Sequence, residues 1–600
     1  MTEDIYVPPA PARLVTRRGA WTHLAPLLRP WRRTLALALL GVLLAKAIEM
    51  VPPLLIERIV DAHLVPQRSD GLLSLGLLYL GVTIIGQIMT GGAVYLTALA
   101  AQGALHAVRV RLMEHLQRLP LSYYDQTPLG DTISRCTADV ETVDTLFSTG
   151  IINLVANLVR LLTAAVAMAL LSTTLTLVAI VVIPPLVAVT RLFQVRVRAA
   201  ERENRRAVGL LNTHLQETLG GAEVIRAFGR VDTFVARFRR ALRESLAAYN
   251  RATVYSAIYS PIMALLAASA IALLLWAGAG GIVGSWGISV GMLTAFVLLF
   301  QRFFEPITTL GDDWQTVQSA LSGIERIVEV LALAPETRPP PQPAAPHQAP
   351  IEMHNVTFGY RDQPVLHRIS FHVRPGEHVA LVGRTGAGKS SALHLVGGLY
   401  TPWSGTVRVA GRDPRSLSDE KRRRIVGVVP QLVQLFSGTV WDNLTLGDSS
   451  VSRVAVERAA KIAGAAAWVE SLPQGYDTPL SGAGRSAGAQ LSAGQRQLLA
   501  LARALVWDPP VLLLDEATAA IDSASDAALW AALRADVAGH GRVVLAVAHR
   551  LATARVADRV IALEAGRIVE IGPPEELVRR GGRFAALVEL EAAGWRWQAS

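Results

Sequence analysis

The chain has one cysteine in 600 residues, Cys136, and no Cys/His cluster. An intrachain disulfide and a Cys/His metal site are therefore excluded, and nothing in the sequence requires an oxidising compartment. Charge is scarce too: Asp, Glu, Lys and Arg together make 18% of the residues. The formal charge of +10 would suit nucleic acid, but the arginines stand beside apolar runs and form no single basic stripe, which argues against nucleic-acid binding as a main role. Residues 1–33 lack the unbroken apolar stretch and small-residue cleavage site of a signal peptide; Pro8, Pro9 and Pro11 are followed by scattered arginines, and the N-terminus is expected to stay in the cytosol. What is abundant is apolar. Hydrophobic residues make 51% of the chain and the mean hydropathy is +0.35, too high for an ordinary soluble protein of 64.4 kDa.

The apolar content lies mainly in the N-terminal half. Six stretches, near 34–56, 71–96, 151–170, 172–192, 254–280 and 288–310, reach the roughly 20 helical residues that cross a hydrocarbon core. The third and fourth nearly touch at Leu171-Ser172-Thr173-Thr174, which predicts a tight helical hairpin. Long segments separate the second span from the third and the fourth from the fifth. The first carries Arg109, Arg111, Arg118 and Arg135, the second thirteen arginines from Arg191 to Arg251, and the opposite side little beyond Arg58 and Arg68. Arginine excess marks the cytoplasmic face, so both long segments and both termini are expected in the cytosol of a multi-pass protein of the plasma (inner) membrane. Apolar residues recur at helical spacing over 98–119 and 196–219, so the spanning helices should continue past the bilayer. Pro120 to Gly130 and Gly220-Gly221 break these extensions. Each break is either a polar turn or the site of a short crosswise helix against a cytosolic partner.

Within the spans, Lys46 and Glu49 stand three residues apart, on one helical face, and Arg160 lies near the middle of the third. A polar translocation cavity and a structural ion pair with snorkelling both account for them. Pro52-Pro53, Pro184-Pro185, Pro261 and Pro306 are expected to kink or unwind their helices.

From Ala334 to Pro350 the chain is dense in proline, an extended and stiff spacer that marks a domain boundary. Beyond it, short β-branched runs alternate with helical patterns, as in an α/β domain with buried strands. Gly383-Arg384-Thr385-Gly386-Ala387-Gly388-Lys389-Ser390, continued by Ser391, has the phosphate-loop spacing GxxxxGK[ST] between a strand and a helix. Gly386 and Gly388 let backbone N–H groups approach phosphate oxygens, Lys389 reaches the β and γ phosphates of ATP, and Ser390 is a ligand for Mg²⁺. The run Val511 to Leu514 ends in Asp515 and Glu516. The first suits Mg²⁺, the second a general base that orients water. Burying two carboxylates for packing alone would be costly.

Together these features resemble an ABC exporter half-transporter over about Trp31 to Leu590. The resemblance implies an all-α polytopic membrane domain of six helices with long cytosolic extensions, joined to an α/β P-loop NTPase domain of ABC type. Its expected divisions are an N-terminal tail and elbow helix at 1–33, the transmembrane domain at 34–333, the Pro-rich linker at 334–350 and the nucleotide-binding domain at 351–600. Leu491-Ser492-Ala493-Gly494-Gln495 resembles the family's signature motif, with Ala493 replacing a glycine. Gln431 resembles the Q-loop glutamine, which implies a catalytic and a metal-binding role; Asp522 resembles the D-loop, His549 the switch histidine, and Tyr360 the aromatic residue that stacks on adenine. Members of the family sandwich two ATP molecules between two such domains, each phosphate loop facing the other subunit's signature, so a second half-transporter is implied. Tyr123 to Gly130 and Gly221 to Gly229 resemble the first and second intracellular loops. Gln301 to Ile307 resembles the sixth-helix segment of half-transporters that often form heterodimers. The stretch Ser481 to Gln490 departs from the pattern, being longer than usual and lacking the X-loop glutamate. His354, His378 and His394 carry no assignment. The expected function is ATP-driven export or flipping of an amphipathic solute, such as a drug, lipid or lipopeptide. An importer of the same architecture, or a regulatory ATP-binding membrane subunit, are the alternatives; Glu516 and His549 argue against the latter.

Overall fold

The computed structural model describes residues 26, 29–181, 183–279, 287–340, 349–480, 489–516, 523–548 and 551–592. Six of its helical stretches are long and apolar enough to cross a membrane: Arg29–Leu64, Leu72–Leu116, Leu129–Leu171, Thr173–Gly220, Val231–Ala277 and Val290–Leu331. The first is broken. Helix α1 (Arg32–Ile48) ends at Glu49 and Met50, and α2 (Val51–Ile59) restarts with prolines in its first turn, where a missing N–H costs nothing. Helix α3 (Leu72–Leu116) packs against α1 at small residues: a Cβ on Gly41 would stand 3.2 Å from that of Ala93. Close backbone approach of this kind binds helices in lipid, where burial of apolar surface drives nothing.

The predicted extension past the bilayer is present, since α3 runs unbroken to Leu116 and then gives way at Pro120 to the short helix α4 (Leu121–Gln126). The third span ends in α5 (Ile151–Leu171), and Ser172, whose hydroxyl accepts from the backbone N–H of Leu175, caps α6 (Thr173–Ile180), the tight hairpin expected there. Helix α7 (Ile183–Gly220) is followed by α8 (Ala222–Ala227), α9 (Val231–Ala279) and α10 (Val290–Leu331). Pro261 and Pro306 lie inside α9 and α10, which run on through them. Phe296, Leu299 and Phe300 of α10 are buried with Met168, Leu175 and Leu274 in the membrane unit's core. At the start of α10, Ser289 caps the helix and donates its hydroxyl to Asp61, whose carboxylate also accepts from Gly291 N at 2.8 Å.

The chain divides into two compact units, and the division does not follow the linker alone: Arg118–Pro128, which contains α4, belongs with Ala334–Ser600. Tyr400 fastens it by donating its hydroxyl to Asp125 at 2.7 Å. Burial and the neighbouring carboxylate raise the Tyr400 hydroxyl well above the usual phenol range, so it stays a donor. The first break thus holds a short helix and is not merely a polar turn.

The nucleotide-binding unit holds two larger sheets. β1 (Ile351–Phe358) lies between β2 (Leu366–Val373) and β4 (Ser404–Val409), all antiparallel. The second has the order β11, β10, β3, β9, β8, β5, from β3 (His378–Val382), β5 (Val426–Val429), β8 (Val511–Asp515), β9 (Val543–Val547), β10 (Arg559–Glu564) and β11 (Arg567–Gly572). Only β11 runs antiparallel to its neighbour. β3, β8 and β9 are buried at every residue, which is why they read as apolar runs without alternation. A small pair, β6 (Gly438–Thr439) and β7 (Pro479–Leu480), lies apart from both sheets.

His378 opens β3, 2% exposed and stacked on Trp530 with ring centroids 4.8 Å apart. Its Nε2 has no hydrogen-bond partner among the described residues, and burial lowers its pKa from 6.5 to about 4. The folded protein therefore holds His378 neutral while the unfolded chain takes up a proton below pH 6.5, so stability is full above that pH and falls as pH drops from 6.5 towards 4. By pH 5 this site alone should cost about 2 kcal/mol. Thermal unfolding at pH 7.5 and pH 5 checks it: His378→Phe keeps the stack and should lose that part of the acid sensitivity, and an identical pH response would reject the argument.

Candidate functional site

The nucleotide site is built where parallel strands end. Leu381 of β3 and Asp515 of β8 both pair with Val547 of β9, and Val429 of β5 pairs with Leu514, so four carboxyl ends lie side by side. Crevices beyond such ends are the usual ligand sites of α/β sheets. From β3 the chain enters Gly383–Gly388 and then α11 (Lys389–Val396). Gly383 has φ +150°, and a Cβ there would fall 2.2 Å from the carbonyl oxygen of Leu563; Gly388 caps α11 at φ +95°. Both positions need glycine. Gly386, at φ +81°, has open space where a Cβ would go, so its exposed side is free for a ligand.

Lys389 is 5% exposed, and its Nζ donates to Gly383 O at 2.7 Å and Arg384 O at 3.1 Å. Burial lowers its pKa, and the carboxylates of Glu516 and Asp515 oppose that shift. The ammonium therefore bonds to the loop carbonyls within the fields of the two acids. Ser390 donates to Asp515 Oδ1 at 3.0 Å, and Asp515 is 4% exposed at the tip of β8. A hydroxyl and a carboxylate oxygen side by side are the hard oxygen donors that Mg²⁺ prefers, so the residues present fit that ion. Glu516 follows at φ +51°, a left-handed backbone that costs a non-glycine residue about 1 kcal/mol or more and turns the chain off the strand. Gln497 Nε2 donates to its carbonyl at 3.4 Å.

Tyr360 lies beside this loop. Its hydroxyl is 3.0 Å from Ser391 Oγ and 3.4 Å from His394 Nδ1, and its ring meets Phe358 and Tyr400 edge-on at 5.1 and 5.3 Å. His394 is thus part of the Tyr360 setting, although the sequence offered no ground for assigning it: a position five residues past Lys389 acquires meaning only once α11 meets the chain just beyond β1. Gln431 is exposed, two residues beyond β5. The segment after it is held by Arg503, which donates to Gln434 O at 3.0 Å and Asn443 O at 2.7 Å. Arg503 belongs to α12 (Ala493–Leu505), the helix that Ser492 and Gln495 open with a reciprocal cap: Ser492 Oγ accepts from Gln495 N at 3.1 Å and Gln495 Oε1 from Ser492 N at 2.9 Å. Ser492 is exposed and Gly494 half-buried, at a helix N-terminus suited to an anion. Among the described residues, no hydrogen bond joins Ser492, Gly494 or Gln495 to Gly383–Ser390. Asp522, His549 and Ser481–Gly488 of the atypical stretch lie outside the described residues.

Residues 35–307 match the ABC transporter transmembrane region and residues 366–519 the ABC transporter family. The ABC transporter ATP-binding protein YknV of Bacillus subtilis is 31% identical over 570 residues, 94% of this chain and 93% of that protein. An ATP-dependent lipid A-core flippase of Desulfotalea psychrophila is 30% identical over 523 residues, 85% of this chain and 90% of that one. Among solved structures, a bacterial Atm1-family ABC exporter with ATP bound is similar with a TM-score of 0.74 and 28% identity, over 94% of this chain and 98% of that one. Matched in sequence and in fold along nearly its whole length, the chain belongs to the ABC transporter family, as a multi-pass, exporter-type half-transporter that uses ATP hydrolysis to drive export or flipping.

Proposed function

We propose that the chain exports or flips an amphipathic molecule as one half of a dimer, and that Lys389, Ser390, Asp515 and Glu516 carry its ATP step. The observation behind this reading is their convergence at the carboxyl ends of β3 and β8. Backbone N–H groups of Gly386, Ala387 and Gly388, with the rim residues Arg384 and Thr385 and the helix start at Ser390 and Ser391, cradle the phosphates. Lys389 neutralises the β and γ phosphates, and Tyr360 stacks on adenine. Ser390, Asp515 and Gln431 hold Mg²⁺, which when bound offsets charge on the phosphate oxygens. Glu516 orients the attacking water, with His549 beside the γ-phosphate, while Ser492, Gly494, Gln495 and Asp522 act on ATP held by the opposite subunit.

The divisions 1–33, 34–333, 334–350 and 351–600, with nucleotide-binding domain and termini in the cytosol, complete the arrangement; the arginine-rich long segments support that sidedness. Relatives named as lipid A-core flippases and as a probable multidrug resistance transporter support a lipid-like or drug-like cargo. The partner proposed is a different half-transporter, on the resemblance of Gln301 to Ile307 and the length of Ser481 to Gln490. The native mass of the protein expressed alone in detergent tests this. An ATP-hydrolysing species of about 130 kDa, twice 64.4 kDa, rejects the heterodimer. An inactive species restored by a second subunit is the expected result.

A further inference from the structure

The charges inside the spans form one constellation across three helices. Lys46 of α1 holds Glu49 at 2.7 Å; Arg160 of α5 lies 3.6 Å from Glu49 and 2.9 Å from Glu305 of α10. Arg302, one turn before Glu305, lies within the fields of Glu49, Glu305 and Arg160. Lys46, Glu49 and Arg160 stand out in the sequence; the structure brings Arg302 and Glu305 of the sixth span to them.

The members are not equally accessible. Lys46, Arg160 and Glu49 have side chains 18%, 19% and 21% exposed, whereas Glu305, though paired, is 62% exposed. Arg302 is half-buried, and its Nη1 is buried without an acceptor among the described residues. The cations lie behind, and a carboxylate stands in front. Glu305 also belongs to a face: Gln301, Glu305, Thr309 and Asp312 are all exposed at the spacing of one helical stripe, while Phe296, Leu299, Phe300 and Phe304 on the other side are buried. This is the reverse of a lipid-facing helix. Hydrocarbon offers no partner to a charge, so a stripe with an exposed carboxylate at span depth borders a water-filled path. Asp312 stands about 10 Å further along the helix, past the apolar stretch 288–310, which leaves Glu305 as the exposed carboxylate of this stripe at depth.

We infer that Glu305 is a specificity residue of the translocation path and that it receives a positively charged group of an amphipathic substrate. The inference rests on the proposed transport function and names the charge of its cargo. A cation arriving at Glu305 adds to an ion pair whose carboxylate stays open to the path, whereas an anion would meet that carboxylate before any of the covered cations.

Tetraphenylphosphonium and tetraphenylborate have the same size and opposite charge, and their saturable binding to the assembled transporter in lipid nanodiscs reads the sign of the site, with empty nanodiscs as the baseline. The phosphonium should bind at least about tenfold more tightly than the borate in the wild type, Glu305→Gln should remove that preference, and Glu305→Asp should keep most of it. Equal affinities, a preference for the borate, no saturable phosphonium binding, or an unchanged preference in Glu305→Gln overturns the inference. If Glu305→Gln loses nucleotide binding through misfolding, Glu305→Asp and the wild-type comparison decide alone. ATP hydrolysis measured in the same preparation keeps the two readings apart: its absence counts against the transport function, while ion preference is an equilibrium property scored without turnover.

Discussion

Glu516→Gln should slow ATP hydrolysis by roughly 10²- to 10⁴-fold and leave ATP affinity unchanged. The amide keeps the size of the side chain and asks nothing new of the left-handed backbone at φ +51°. The strained turn, and the Gln497 contact to the carbonyl of residue 516, should therefore survive. What disappears is the carboxylate proposed to orient water and accept its proton. Removing a negative charge beside Lys389 should, if anything, favour bound phosphate, so nucleotide ought to accumulate on the variant. Phosphate release under single-turnover conditions, with retained labelled ATP counted alongside, measures both halves. Wild-type turnover in a preparation where this chain supplies the only competent site would remove Glu516 from the mechanism.

Lys389→Ala acts earlier in the cycle. It deletes the cation held at the phosphate loop within the fields of the two carboxylates, together with its bonds to Gly383 O and Arg384 O. A charge-assisted contact to phosphate contributes about 1.5–3 kcal/mol, so affinity for ATP should fall by roughly 10- to 100-fold and hydrolysis with it. Asp515 and Glu516, no longer offset, would further repel the phosphates. Lys389→Arg should not restore binding, because a planar guanidinium does not fit where a compact ammonium reaches two neighbouring carbonyls. Equilibrium binding of a labelled nucleotide to the three proteins decides the matter, and wild-type affinity in the alanine variant would refute the phosphate-loop assignment.

Much of the molecule was legible from residues alone, for identifiable reasons. A spanning helix must be long and apolar because lipid satisfies no backbone group, so the spans appear in composition before any fold is known. The extensions past the bilayer appear in the periodicity of 98–119 and 196–219, and the hairpin at Ser172 in the lack of residues for anything longer. The phosphate loop is legible because a backbone turn that approaches phosphate accepts few residue types; Gly383 and Gly388 each hold a conformation, or a closeness to Leu563 or Leu366, that a side chain would prevent. Asp515 and Glu516 stand out because carboxylates at the tip of a buried strand need a purpose.

Other features exist only once distant segments meet. Tyr400 and Asp125 are 275 positions apart, and nothing in either neighbourhood announces the bond that groups α4 with the nucleotide-binding unit. His394 becomes a partner of Tyr360 where α11 meets the chain just beyond β1. His378, one of several unassigned histidines, acquires a depressed pKa because folding seals it against Trp530. In the membrane unit the sequence by itself determined which charges lie at span depth, since that depends on position along a helix. Which of them faces the path was decided by tertiary structure alone: the pairing of Arg160 with Glu305, and the exposure of one and cover of the other, come from how three helices pack, and helical periodicity carries no information about the neighbours a face will meet.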